Sequence, residues 1–100
     1  MLRMTADDRT ACRTPATGRD GVTNIPTWKF DAVRNAILTI CAEETVFTDL
    51  FKLVPEHLTK DQLSMLGSIN WHVTTVKLEL EVRGEIARVP GAKPQKLIRT

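Results

Sequence analysis

The chain has little of what catalysis, export or membrane insertion demands. Its 100 residues include two cysteines, Cys12 in a polar leader and Cys41 on an apolar helical pattern. They form neither a CxxC pair nor a paired framework, which excludes a disulfide scaffold and fits a reducing cytoplasm. No apolar run approaches the length of a bilayer span, and the opening MLRMTADD has no apolar core before its acidic pair. The expectation is a soluble, non-exported, cytoplasmic protein without membrane contact. A phosphate-cradling glycine loop and a G-x-S-x-G elbow are both missing, and no carboxylates pair on one helical face. Cys12, Cys41, His57 and His72 follow one another at gaps of 29, 16 and 15 residues, which match no compact zinc module. A Cys-His nucleophile would need a third, orienting group, and the pattern turns Cys41 toward a core. The chain is therefore expected to be non-enzymatic and to use no metal or cofactor.

What is present is enough for one modest core, since 42% of the residues are apolar. The net charge of +2 is small but unevenly spread. Residues 1–27 hold four arginines against three aspartates, and residues 28–69 hold four basic against six acidic side chains. Residues 70–100 hold six basic side chains against Glu79, Glu81 and Glu85, so the positive charge collects at the C-terminal end. Residues 1–26 are rich in Thr, Arg, Asp, Gly and Pro without helical or strand periodicity. They are expected to form a flexible or surface-wrapping arm, with the packed domain spanning 27–100.

Within that domain Phe30, Val33, Ile37 and Ile40 recur at steps of three and four, predicting a first helix to about Cys41 with Thr27 as its cap and Asp31 in its first turn. Thr45 to Phe47 suggests a brief strand, and Thr48-Asp49 restarts a short helix that Pro55 ends. Thr59-Lys60-Asp61-Gln62 has the spacing of a capping box and opens another short helix, anchored by Leu63 and Leu66 and stopped by Gly67. Ser68 or Asn70 then caps a long helix running to Arg83, with Gly84 as its stop. That helix has two apolar stripes, Ile69, Val73, Val76 and Leu80 on one side and Trp71, Leu78 and Val82 nearly opposite. The second stripe is expected to meet a C-terminal hairpin near Leu78 and Val82, leaving Trp71 for the arm or a second subunit to cover. Beyond Gly84, EIARV and QKLIR are β-favouring runs around Pro90-Gly91, a pair suited to the centre of a type II turn. Adjacent Leu97 and Ile98 leave their register open.

The order predicts a mainly α fold with a small β-hairpin (α+β): a winged helix-turn-helix of three to four helices with a C-terminal two-stranded wing. The run Leu80-Glu81-x-x-Gly84-x-Ile86-x-Arg88 resembles the long-helix end and first wing strand of many bacterial winged-helix regulators. Trp71 to Glu81 with Arg83 and Gly84, together with Lys29-Phe30-x-Ala32-Val33-Arg34, resembles a family of small bacterial proteins of unknown function. That likeness spans about Lys29 to Arg99 and implies the fold, with no reaction or ligand attached.

Two functions fit this plan, and DNA binding stands slightly ahead because the basic wing coincides with a polar front on the long helix. In a DNA-binding transcriptional regulator the long helix would enter the major groove of double-stranded DNA, presenting Asn70, His72, Thr74, Thr75 and Lys77. Arg88, Lys93 and Lys96 of the wing would then meet phosphates. In a protein-interaction or dimerisation module, Trp71 and the second stripe would dock a homodimer mate or another protein, because tryptophan is enriched at interface hot spots. The same tryptophan also suits a partly buried core position. Glu79 and Arg83 have the spacing of an ordinary i,i+4 ion pair, which needs no function. An arm folded across the front of the long helix would count against DNA reading.

Overall fold

Helix α1 (Thr27–Ile40) turns its predicted stripe inward, with Phe30, Val33 and Ile37 buried and Ile40 packed partly against the same core. The structure, a computed structural model, describes residues 8–14 and 18–100, the side chains of 18–21 excepted. Pro26 occupies the cap position of α1 and Thr27 is already helical, which places Asp31 beyond the first turn, a correction to the expected Thr27 cap. The Thr27 hydroxyl instead pairs with that of Thr10, 2.9 Å away.

The chain then makes strand β3 (Thr45–Val46), a 3-10 turn, the single-turn helix α2 (Leu50–Leu53) and a second 3-10 turn at Val54–His57 that contains Pro55. Leu50 and Val54 from this stretch are fully buried. Helix α3 (Lys60–Leu66) opens on the expected capping box. The Gln62 amide donates to the Thr59 hydroxyl at 3.0 Å, and the Gln62 side chain accepts from the Thr59 amide at 2.8 Å.

Helix α4 (Ile69–Arg83) is capped by Ser68, whose hydroxyl accepts from the Trp71 amide at 3.1 Å. It ends at Gly84 in the left-handed region, φ 75°, where the Glu85 amide reaches back to the Leu80 carbonyl at 2.9 Å. Val73, Val76 and Leu80 are fully buried; each such side chain contributes about 1.5–3 kcal/mol relative to exposure. Strands β4 (Ile86–Arg88) and β5 (Lys96–Arg99) pair antiparallel, Ile86 opposite Arg99 and Arg88 opposite Leu97. The Pro90-Gly91 turn forms as expected, with Gly91 at φ 75° and the Ala92 amide donating to the Val89 carbonyl.

Two expectations need correcting. β4 and β5 do not make a free two-stranded C-terminal wing, because β3 pairs with the other edge of β5 and gives a three-stranded sheet ordered β3-β5-β4. β5 is thus the central strand, which explains why Leu97 is completely buried and Ile98 partly so. The two-stranded hairpin lies at the other end of the chain. Residues expected as an arm form β1 (Arg9–Thr14) and β2 (Gly18–Pro26), antiparallel, with Cys12 opposite Thr23 and Thr10 opposite Ile25. Facing pairs share one side of a hairpin, and here that side carries Cys12 and Ile25 into the core. The packed unit therefore begins before residue 27. The rest of the expected arm, residues 1–7 and 15–17, lies outside the described residues.

The described chain is thus a mixed α+β protein with four helices and two small antiparallel sheets. No helix among the described residues is long and apolar enough to cross a membrane.

Candidate functional site

Helix α4 organises the molecule, since α1, α2, β1 and β4 all pack against it. Its charged residues show how. The Glu79 carboxylate is fully buried between helix and hairpin. It accepts from the Arg13 backbone amide at 2.8 Å, from Arg13 Nε at 3.0 Å and terminal nitrogen at 2.7 Å, and from Arg83 Nε at 2.8 Å. The Arg13 amide lies where the β1–β2 register shifts, between Cys12 and Thr14. Burial alone would push this carboxyl up, but the combined arginine and amide donors overcome it and hold Glu79 at about 2. Arg83 also lies over the Phe30 ring, 4.7 Å from its centroid. The expected i,i+4 pair forms, and its glutamate also fastens the N-terminal hairpin.

A second cluster sits on the opposite flank. Lys77, expected at a DNA-facing front, has a side chain only 3% exposed and lies 2.6 Å from Glu81, with its ammonium 4.6 Å from the centre of the Phe47 ring. Burial lowers its pKa, against the raising effect of Glu81. Arg88 reaches from β4 to the same carboxylate at 2.6 Å. His72 is buried too, with Nδ1 2.7 Å from the Ser68 carbonyl, so that nitrogen donates. Desolvation holds the ring below its ordinary pKa of 6.5.

Of the residues predicted to front DNA, Asn70 is exposed and Thr74 and Thr75 are part-exposed, while His72 and Lys77 turn inward. A signal for this was available. At about 100° per residue Lys77 lies about 40° from Val73, and His72 about 40° from Val76, next to the buried stripe. Arg88 is drawn to α4, Lys93 stands exposed in the turn before β5, and Lys96 is half-buried at the start of that strand. Glu79, Glu81, Arg13 and Arg83 were not among the predicted site residues.

Between the two clusters α4 presents an outer arc of Asn70, Trp71, Thr74, Thr75, Leu78 and Val82. Trp71 is 47% exposed, its ring edge-on to His72 at 4.8 Å, and Leu78 and Val82 are part-exposed. Among the described residues the hairpin meets α4 on the Glu79 side, and Trp71 is left 47% exposed.

Elsewhere the described residues form three modest grooves. Grooves of about 190 and 210 Å³ are smaller than the usual ligand pocket. One of about 310 Å³ is lined by Asp49, Lys52, Leu53 and Glu56 along a single helical stretch. Among the described residues no three His, Cys, Asp or Glu side chains are placed to hold a metal. Cys12 and Cys41 are buried free thiols, raised by desolvation to about 11.

Comparison with curated proteins and with solved structures returned no match. Residues 9–97 match a family of unknown function, DUF6958. The match begins at β1, some twenty residues before the Lys29 to Arg99 segment that carries the sequence resemblance, and so takes in the hairpin as well as the helical core. By this match over nearly its whole length, the chain is a member of the family of unknown function DUF6958.

Proposed function

We propose that the protein is a non-enzymatic interaction module that docks another protein on the outer arc of α4. One observation carries this reading: Lys77, the one lysine or arginine of α4 before its last residue, is buried and paired with Glu81, while Arg83 lies at the far end of the helix. A helix that reads base edges needs free donors at its front. Here the front is Asn70 and two threonines around a half-exposed tryptophan. Such a surface is poorly suited to a phosphate-lined groove and well suited to an apolar anchor.

The reading is built on a winged-helix plan for residues 27–100. Its support is the element order of α1, β3, short helices, long α4 and a closing hairpin, with β3 added to the edge of that hairpin. In this plan α4 takes the place of the recognition helix, and the fold serves docking in place of DNA reading.

A second reading, DNA binding through the C-terminal sheet, is favoured by the exposed Lys93 and Arg99 with Lys96 beside them. The two are separated by titrating the full chain into labelled random duplex DNA, following anisotropy at about 50 and about 200 mM salt. Docking predicts no saturable binding at either salt. Binding that collapses at the higher salt, and is lost on charge reversal of Lys93 and Lys96, replaces docking with DNA reading.

A further inference from the structure

The two charge clusters on α4 share a feature that bears on the partner. Each has two cations to one carboxylate: Arg13 and Arg83 around Glu79, and Lys77 and Arg88 around Glu81. Each therefore carries a net positive charge. Lys77 lies as deep as the carboxylates, at 3% exposed, and the arginines lie outermost. The carboxylates of Glu79 and Glu81 are 0% and 9% exposed, whereas the side chains of Arg13, Arg83 and Arg88 are 42%, 34% and 51% exposed. What meets solvent is arginine.

Their placement around the helix completes the picture. At about 100° per residue, Trp71, Leu78 and Val82 cluster around one direction, with Glu79 and Glu81 each about 80° from it on opposite sides. The Leu78 and Val82 end of the apolar strip thus runs between two cationic rims, one held by β1 and one by β4, with Trp71 about two to three turns up the helix. From Trp71 to Val82 the strip is about 16 Å long, three turns of helix. Arg83 and Arg88 both hold their glutamates through Nε. Their terminal nitrogens remain for an acceptor on the solvent side, because a guanidinium has five N–H donors.

We infer that the partner is an acidic amphipathic segment of another protein, its apolar side chains seated on Trp71, Leu78 and Val82 and its carboxylates meeting Arg13 and Arg83 on one rim and Arg88 on the other. This rests on the docking reading above and adds the chemistry of what docks. A nucleic acid would satisfy the rims through its phosphates but leave the apolar strip without a matching surface; a neutral apolar peptide would fill the strip and leave the rims unused. An arginine that already holds a buried glutamate is fixed in place, so it loses less side-chain freedom on meeting a second carboxylate.

The test uses the full chain as bait for a displayed library of random peptides of about 16 residues, long enough to cover the strip as a helix. Clones are screened in parallel against Trp71→Ala and against the rim variants Arg88→Gln and Arg13→Gln. The expected clones need Trp71 and carry more Asp and Glu than Lys and Arg. They should lose about tenfold in affinity on either rim substitution and again between low and physiological salt. Thermal melts accompany each variant; where a rim substitution lowers the melt, the salt titration of the unmodified chain takes its place. Clones that need Trp71 but are neutral or basic overturn the acidic partner and leave docking in place. A screen that yields no Trp71-dependent clone overturns the docking reading itself.

Discussion

Replacing Glu79 with Gln keeps the shape of the side chain and removes the charge that fastens the hairpin to α4. The carboxyl is held at about 2 against an ordinary 4.5. At about 1.4 kcal/mol per pH unit that depression corresponds to about 3 kcal/mol of stability. The substitution should cost somewhat less than the 3–5 kcal/mol typical of breaking a fully buried pair, about 2–3, since Arg13 and Arg83 are part-exposed and can be rehydrated. For a domain of this size the melting temperature should fall by about 10–20 °C. Acid adds an independent check. Because folding lowers this pKa, the stabilisation is complete above 4.5 and drains away as pH falls toward about 2. Urea unfolding at a series of pH values should show that acid-dependent slope in the parent chain and lose it in Glu79→Gln. A variant within about 0.5 kcal/mol of the parent, or one that keeps the full acid slope, would refute the fastening role.

The remaining predictions are local. Trp71→Ala should change stability by less than about 1 kcal/mol in urea while abolishing peptide capture, because the ring is half in solvent; a large loss of stability would make it a core residue. Leu80→Ala should cost about 2–5 kcal/mol by the same measurement, as expected for a fully buried leucine. Thr59→Ala should cost about 1 kcal/mol through loss of the capping box, with little change if α3 is held by packing alone. Cys12 and Cys41, buried and raised to about 11, should react with a thiol reagent orders of magnitude more slowly in the native chain than in urea. His72, held below 6.5, should stay neutral in an NMR titration to lower pH than an unfolded histidine, and its share of stability should be lost as pH falls from 6.5 toward its folded value.

Much of the helical half was legible because its signals are local. The stripe of α1, the Thr59 box, the Ser68 cap, Gly84 and the Pro90-Gly91 turn each depend on residues within a few positions of one another. The N-terminal hairpin was not, since its inner face is Thr10, Cys12, Thr23 and Ile25, too weakly apolar for alternation to stand out. Its decisive contact is ionic and reaches Glu79 across 66 residues. A spacing rule that sees only Glu79 and Arg83 returns an ordinary i,i+4 pair; its burial enters only when β1 is laid over it. The candidate site was half legible for the same reason. Trp71 stood out as a residue in need of a cover, but Leu78 and Val82 were assigned to the C-terminal hairpin, and two of the three arginines beside them come from β1 and β4.

The 66-residue reach of the Arg13 to Glu79 bond also governs the order in which the molecule can be assembled. On a growing chain the hairpin is made first and meets α1 next, through Thr10 and Thr27, but its ionic anchor has no partner until α4 exists. β3 likewise waits for β5, its neighbour in the sheet. β3 is therefore an unpaired strand during synthesis, and one closing event, the arrival of α4 and the strands behind it, must meet the loop-closure cost for the hairpin's anchor and for β3 together. A chain wired in this way passes from open to closed with few stable stopping points.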